Sequence, residues 1–437
     1  MKKAFALVCA AGILLVGCKS SGDPSTSSST AAGSTPAGTE PASSEPGTGV
    51  ADDSIKIGVT YTDLAPLKDV GLDLDHGDYA SAFQALADDI NANGGINGRT
   101  LELVQAPVNP IGTGAGTTAC TMLTEDEEVF AVLGDLQQDI VPCYVTDHDT
   151  ALVGGYQSPA SLAAAAAPWL TWYPSLDRLA TKTIEGADAA GIYDGKKVGL
   201  VSLPVDGDLV STVVDPALDD AGVDVVDRAV IDAPANDAAA ATAAAQTIAE
   251  KFKSEGVEVV VTVGNAFNPF ANGLVQTDFR PVLVATDDNT VSAWRISKSD
   301  EALQILDGLV AGGGIGRADA WNEPSMQACV DTVKEAQPDR QITDPATAQP
   351  GDPETFVSLF VACRSMALFE AIAEKAGPTL NNDTFRNAAS TLGEFQVPGV
   401  GGISDYTATS PSGDPAVYLR RWDASTKDLI SDPEPIA

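Results

Sequence analysis

Short β-rich runs and helical stretches take turns along this chain from Ser54 to Ala285, and that alternation constrains the fold more than any other feature. Ile55–Thr60 reads as a strand. Tyr79, Ala82, Phe83, Leu86 and Ile90 recur at helical spacing and predict an amphipathic helix over 78–92. Asn93-Gly94-Gly95 stops it, and Leu101–Gln105 is the next strand. A helix near 117–126, a strand at Val129–Leu133, a further helix and a strand at Ala151–Val153 follow. After Trp172-Tyr173-Pro174 the pattern begins again. Helices near 176–191, 208–221 and 237–254 alternate with strands at Lys197–Leu203, Val223–Ile231, Val257–Val263 and Pro281–Ala285. The order β-α-β-α implies parallel sheets with helices on both faces, in two consecutive α/β blocks. Val257–Val263 is almost continuously apolar, as a strand buried on both faces must be. Asp352-Pro353-Glu354 predicts a helix start, with Phe356, Leu359, Phe360, Cys363 and Ala367 inward and Gly377-Pro378 as the stop. Val417–Trp422 is a late strand.

The N-terminus predicts a compartment. Lys2 and Lys3 precede an apolar run, Phe5–Val16, that is shorter than the roughly 20 residues of a membrane span. Leu15-Val16-Gly17-Cys18 closes it in the manner of a lipoprotein signal peptide, residues 1–18, with Cys18 as the lipidated residue. Residues 19–53 are dominated by Ser, Thr, Gly, Pro and Ala, with no large apolar side chain before Val50. Such a segment buries too little to offset chain entropy and reads as a disordered tether. No later stretch is expected to span a bilayer, so anchoring to the extracytoplasmic face of the cell membrane would rest on the lipid. The chain beyond the tether is too long for one core and suits two domains.

The formal charge is −36, and loss of Lys2 and Lys3 would make it two units more negative. Such a surface repels nucleic acid, so no nucleic-acid partner is expected. Among six cysteines, Cys9 would leave with the signal and Cys18 would carry lipid. Cys120, Cys143, Cys329 and Cys363 remain, an even number that suits disulfides in an oxidising compartment. Metal binding is the alternative. It is disfavoured, and no metal site is expected, because the spacings are wide and only His76 and His148 could supplement the thiols.

Ile55-Lys56-Ile57-Gly58-Val59, a loop ending Ala65-Pro66, and the run Asp89-Ile90-Asn91-Ala92-Asn93-Gly94-Gly95-Ile96-Asn97-Gly98-Arg99 resemble the opening of the leucine/isoleucine/valine-binding family of type I periplasmic binding proteins. Val129–Gly134, Gly195–Leu203, Gly256–Gly264 (with Glu258 where the family usually has Asp) and Phe395–Tyr406 extend the likeness. The resemblance implies two Rossmann-like, doubly wound parallel-sheet lobes joined by three crossovers. One lobe would be residues 54–173 plus 311–410 and the other 174–310 plus 411–437. It also implies capture of a small molecule for an ABC importer through its permease. A ligand-sensing lipoprotein serving a membrane receptor is the alternative, since fold alone does not fix function. Relatives bridge the place of Cys120 and Cys143. Cys329 and Cys363, on successive helices, are the other expected pair.

In open parallel sheets ligands bind beyond the carboxyl ends of strands. The loops there nominate Tyr61 and Asp63, Gln137 and Gln138, Tyr156, Gln157 and Ser158, Asp206, Asn265, and Asp287. The amide, phenol and carboxylate groups suit a small polar cleft. Amino-acid-binding relatives usually present Ser and Thr hydroxyls in the loops where this chain offers the amides and phenol of Gln137-Gln138 and Tyr156-Gln157, with Ser158 as the exception. That departure weighs against a free α-amino acid within the expected class of amino acid, amide or similar polar solute. Absence of Arg and Lys from these loops favours a neutral or cationic ligand. Trp169, Trp172 and Tyr173 sit near the first crossover, for stacking or packing. Gly112-x-Gly114-x-Gly116 lacks the spacing and the lysine of a phosphate loop and reads as a flexible connection. No catalytic residue, enzymatic activity or cofactor is expected, because no nucleophile–histidine–acid pattern or metalloprotease motif occurs.

Overall fold

The computed structural model describes residues 45–437, apart from 71–73, 112–113, 135, 137–139, 235–236, 297 and 350. Signal peptide, Cys18 and most of the tether lie outside the described residues, as do Gln137 and Gln138.

Two mainly parallel sheets form. The first contains β1 (Ser54–Thr62), β2 (Thr100–Val108), β3 (Ala131–Gly134), β4 (Ala151–Gly154) and β5 (Trp169–Leu170), in the order β2-β1-β3-β4-β5. All its neighbours are parallel. The second takes up β6 (Val198–Ser202), β7 (Val225–Val230), β8 (Val259–Thr262), β9 (Val282–Ala285) and β10 (Val310–Gly313), again parallel. A two-stranded antiparallel sheet pairs β11 (Gly393–Phe395) with β12 (Ser404–Tyr406). The hairpin of β13 (Tyr418–Asp423) and β14 (Asp428–Ser431) then joins the second sheet antiparallel to β10, giving β14-β13-β10-β9-β8-β6-β7. The second sheet keeps the chain to Gly313, a few residues past the boundary expected at 310.

The chain therefore passes between the sheets three times: after β5, after β10 and before β13. Between the last two passages it lays Pro324–Ala336, Phe356–Ala376 and Asn382–Ser390 onto the first half. The helix Phe356–Ala376 is the centre of that half. Leu359, Cys363, Met366 and Phe369 share one buried cluster with Phe83, Leu86, Ile57 and Val59. This helix corrects the expectation that no later segment could span a bilayer. Its length and composition would suffice, and its burial identifies it as core.

The helix starts at Phe356 and not at Asp352, which is a second correction. Asp352 closes a turn instead, its Oδ2 accepting from Gln349 N at 2.8 Å, and Glu354 pairs with Arg317. The Asp-Pro-acid signature carries no information on such long-range partners. At the end of the helix Tyr79–Ala92 the glycine turn forms as read: Gly95 N donates to Ile90 O at 2.9 Å. Gly95 has φ +67°, and a Cβ there would stand 2.0 Å from Arg99 O, so only glycine fits.

Cysteine sulfurs meet in two pairs, Cys120–Cys143 at 2.10 Å and Cys329–Cys363 at 1.99 Å, so both expected pairs stand at disulfide distance.

Candidate ligand site at the strand ends

Strand-end loops of the two sheets meet at Tyr156 and Asn289. Tyr156 follows β4, and its ring stacks on Tyr173, just beyond β5, with centroids 4.5 Å apart and planes at 24°. Asn289 lies in the first turn of the helix that follows β9, and its Nδ2 donates to the Tyr156 hydroxyl. Asp287 caps that helix: its Oδ1 accepts from Asn289 N at 2.9 Å and from Asn289 Nδ2 at 3.2 Å. Burial, with Asp288 beside it, pushes the Asp287 carboxyl up to about 7. A phenol, an amide and a carboxyl are thereby linked across the two sheets.

The other nominated residues fall into separate groups. Tyr61 stacks on Tyr79 at 5.0 Å with planes at 6°, and the Tyr79 hydroxyl lies 3.2 Å from His76 Nδ1. Burial raises the Tyr61 phenol, helped by Asp78 and Asp63. Asp63 Oδ1 accepts from Ala65 N at 3.1 Å and shapes its loop. On the second sheet Asp206 Oδ2 accepts from Leu203 N at 3.0 Å, and Asp206 leans over Gly264, next to exposed Asn265. Burial raises the Asp206 carboxyl.

Two nominated side chains are largely committed to the fold. Gln157 is fully buried, and its Nε2 donates to Trp169 O at 2.8 Å. Its Oε1 is buried with no hydrogen-bond partner among the described residues. Ser158 caps the helix Pro159–Ala164: its Oγ accepts from Ser161 N at 3.1 Å, and Ser161 Oγ accepts from Ser158 N at 2.9 Å. Trp169 and Trp172 are core residues, with Trp169 Nε1 donating to Gly154 O at 2.7 Å.

Sequence reasoning missed an ionic lattice beside these loops. Arg317 pairs with both Glu354 and Asp428. Arg295 lies 3.0 Å from Asp428 and 3.9 Å from Glu354. Arg420 pairs with Asp288 and donates to Leu429 O at 2.6 Å. Arg317 opens the helix whose Ala320 and Trp321 join the first half's core, whereas Leu429, beside Asp428, joins the second's. The lattice therefore ties the halves together. It also touches both sets of loops, since Asp288 adjoins Asp287 and Glu354 N donates to Asp75 O at 2.8 Å. No local motif signals it; only the scatter of arginines in an acidic chain hints that each has a specific partner.

Two α/β halves, crossed three times by the chain and meeting at their strand ends, define a bilobal binding-protein architecture. Residues 54–427 match the family model described as periplasmic binding protein, and the chain belongs to that family. Solved structures agree in fold. An ABC transporter substrate-binding protein from Desulfitobacterium hafniense in complex with Leu is 16% identical, with a TM-score of 0.57 over 87% of this chain and 100% of that one. A fatty acid ABC transporter substrate-binding protein from Thermomonospora curvata is 16% identical, with a TM-score of 0.60 over 89% and 93%. A solute-binding protein from R. palustris in complex with benzoate is 15% identical, with a TM-score of 0.56 over 86% and 95%. No curated protein sequence matches the chain.

Proposed function

We propose that this protein is an extracytoplasmic solute-binding lipoprotein that captures a small polar molecule between two lobes and delivers it to an ABC importer. The observation that carries this reading is the junction of Tyr156, Asn289 and Asp287, where strand ends of both sheets meet. In this reading the lobes are residues 54–173 plus 314–410 and 174–313 plus 411–437, which keeps β10 with the other strands of the second sheet. Cys18 carries the lipid. Cys120–Cys143 and Cys329–Cys363 are disulfides that brace the first lobe.

Tyr61, Tyr156 and Tyr173 supply faces for stacking, and Asn265 and Asn289 supply amide groups. Asp63, Asp206 and Asp287 receive ligand donors. Gln137 and Gln138 are proposed as further contacts. A neutral or cationic polar ligand suits this set, because the nearby guanidinium of Arg420 is already paired with Asp288. Closure follows from differential affinity, since one ligand touches both lobes only when they meet.

The test begins with mass spectrometry of small molecules released from the purified full chain. Calorimetry with the compound found then compares the wild type with Asn289→Ala and Asp287→Asn. Weakened binding in both supports the reading. Unchanged affinity in both, with circular dichroism intact, places the site elsewhere.

A further inference from the structure

Two helical turns of unusual pitch face each other beside the first sheet. In one, His148 N donates to Cys143 O at 3.1 Å, an i→i+5 bond over Cys143–Asp147. In the other, over Met122–Asp126, Glu127 N donates to Met122 O at 2.9 Å. Such turns are rare and concentrate at functional sites. Here the first ties His148 N to Cys143 O. The second follows the helix Ala115–Thr121, which carries Cys120. The sulfurs of Cys120 and Cys143 and a ring nitrogen of His148 all lie within 4.8 Å of one another. His148 Nε2 is also 3.6 Å from Glu125 Oε1, which lies outside that three-ligand group. The His148 side chain is 27% exposed and that of Glu125 58%, so solvent reaches the group.

We propose that this place is a redox-gated metal site: with the Cys120–Cys143 bond reduced, the two thiolates and His148 bind a zinc ion. Zinc holds sulfur at about 2.3 Å and imidazole nitrogen at about 2.0 Å in a tetrahedron, so its ligands stand roughly 3.5–3.8 Å apart. Opening the S–S bond moves the sulfurs toward that spacing, and His148 is already within reach. A dithiol reductant gives two electrons and two protons, leaving as its cyclic disulfide. Zinc then releases the two thiol protons to solvent and forms two Zn–S bonds and one Zn–N bond. A water completes the coordination. Glu125 orients the imidazole through its other nitrogen, as carboxylates do behind metal-bound histidines. Oxidation by a disulfide-forming agent reverses the sequence and expels the ion. The second cysteine pair serves as a control, since among the described residues no histidine or acid joins Cys329 and Cys363.

The full chain is reduced with excess dithiol, desalted without oxygen and titrated with zinc against a chromophoric chelator. The expected result is a single equivalent bound beyond that of the Cys120→Ser/Cys143→Ser chain, and none of that excess in the oxidised protein. His148→Ala should lower the affinity at least tenfold, and Glu125→Gln about 10-fold. Cobalt in place of zinc should give the strong visible bands of a tetrahedral sulfur site, lost in the double serine chain. Equal zinc uptake by wild type and double variant overturns the proposal. So does His148→Ala binding as tightly as wild type, which would mean adventitious dithiol chelation. Loss of circular dichroism on reduction also overturns it, because the site requires the reduced lobe to remain folded.

Discussion

Arg317 and Asp428 meet from opposite halves of the molecule, and the same guanidinium holds Glu354 on its own side. A cation shared between two carboxylates that belong to different cores acts as a clasp whose strength depends on the halves staying together. Both partners are mostly but not wholly shielded, with side chains 29% and 15% exposed. We expect Arg317→Met to weaken ligand binding by about 1–2 kcal/mol, below the cost of breaking a fully buried pair. It should also widen the particle in small-angle scattering. Wild-type affinity should fall as salt rises, and the variant's should fall less. Identical scattering and affinity in both proteins would remove the clasp from the account.

Asp287 makes the ligand-free protein sensitive to pH. Its folded value, about 7, lies above that of an unfolded aspartate, so the folded state binds the proton more tightly. Stability contributed by this proton is present below the unfolded value and is lost as pH rises through about 7. Thermal melts should therefore show stability falling between pH 5 and pH 8 by up to roughly 3 kcal/mol, and Asp287→Asn should flatten that slope. A cationic ligand should release a proton on binding near neutrality. Calorimetry in buffers of different ionisation enthalpy reads this directly, and a buffer-independent enthalpy would argue for a neutral ligand.

Gln157 and Asn289 should separate stability from binding. Gln157→Ala removes a fully buried side chain and leaves Trp169 O without its donor. It should cost about 2–3 kcal/mol of stability. Asn289 is exposed on its helix, so Asn289→Ala should change the melting temperature little. It should weaken binding by about 1–2 kcal/mol. The reverse pattern, a destabilised Asn289→Ala and a stable Gln157→Ala, would contradict these assignments.

Cys18→Ala should release the protein from membranes without altering its fold. Sedimentation of washed membranes and circular dichroism of the released protein check it. A variant that still pellets would refute the lipid anchor.

Much of the architecture was legible because it repeats locally. Tyr79, Phe83, Leu86 and Ile90 announce a helix face by spacing alone, and the apolar run Val257–Val263 announces a buried strand. The strand-end rule also nominated Tyr156 and Asp287, which the fold links through Asn289. What stayed hidden depends on distance along the chain. Arg317 reaches Glu354 across 37 positions and Asp428 across 111, and no periodicity encodes such a meeting. Gln157 and Ser158 illustrate a subtler limit. Their place in a polar strand-end loop is visible, but the diversion of their polar atoms to Trp169 O and to a helix cap is tertiary information.

The core helix Phe356–Ala376 has a consequence for the journey before folding. An exported chain threads through a translocation channel unfolded, and a segment this apolar invites sideways release into lipid. Arg364 stands near the middle of it. In the native fold its guanidinium donates to Pro398 O at 3.2 Å and Gly399 O at 2.6 Å and lies 4.7 Å over the Phe360 ring. In the channel the same charge costs about 2.5–3.5 kcal/mol to place at a bilayer centre. Arg364 is thus a strut beneath the loop at Pro398 and Gly399, and in a chain crossing such a channel the same charge would oppose sideways release.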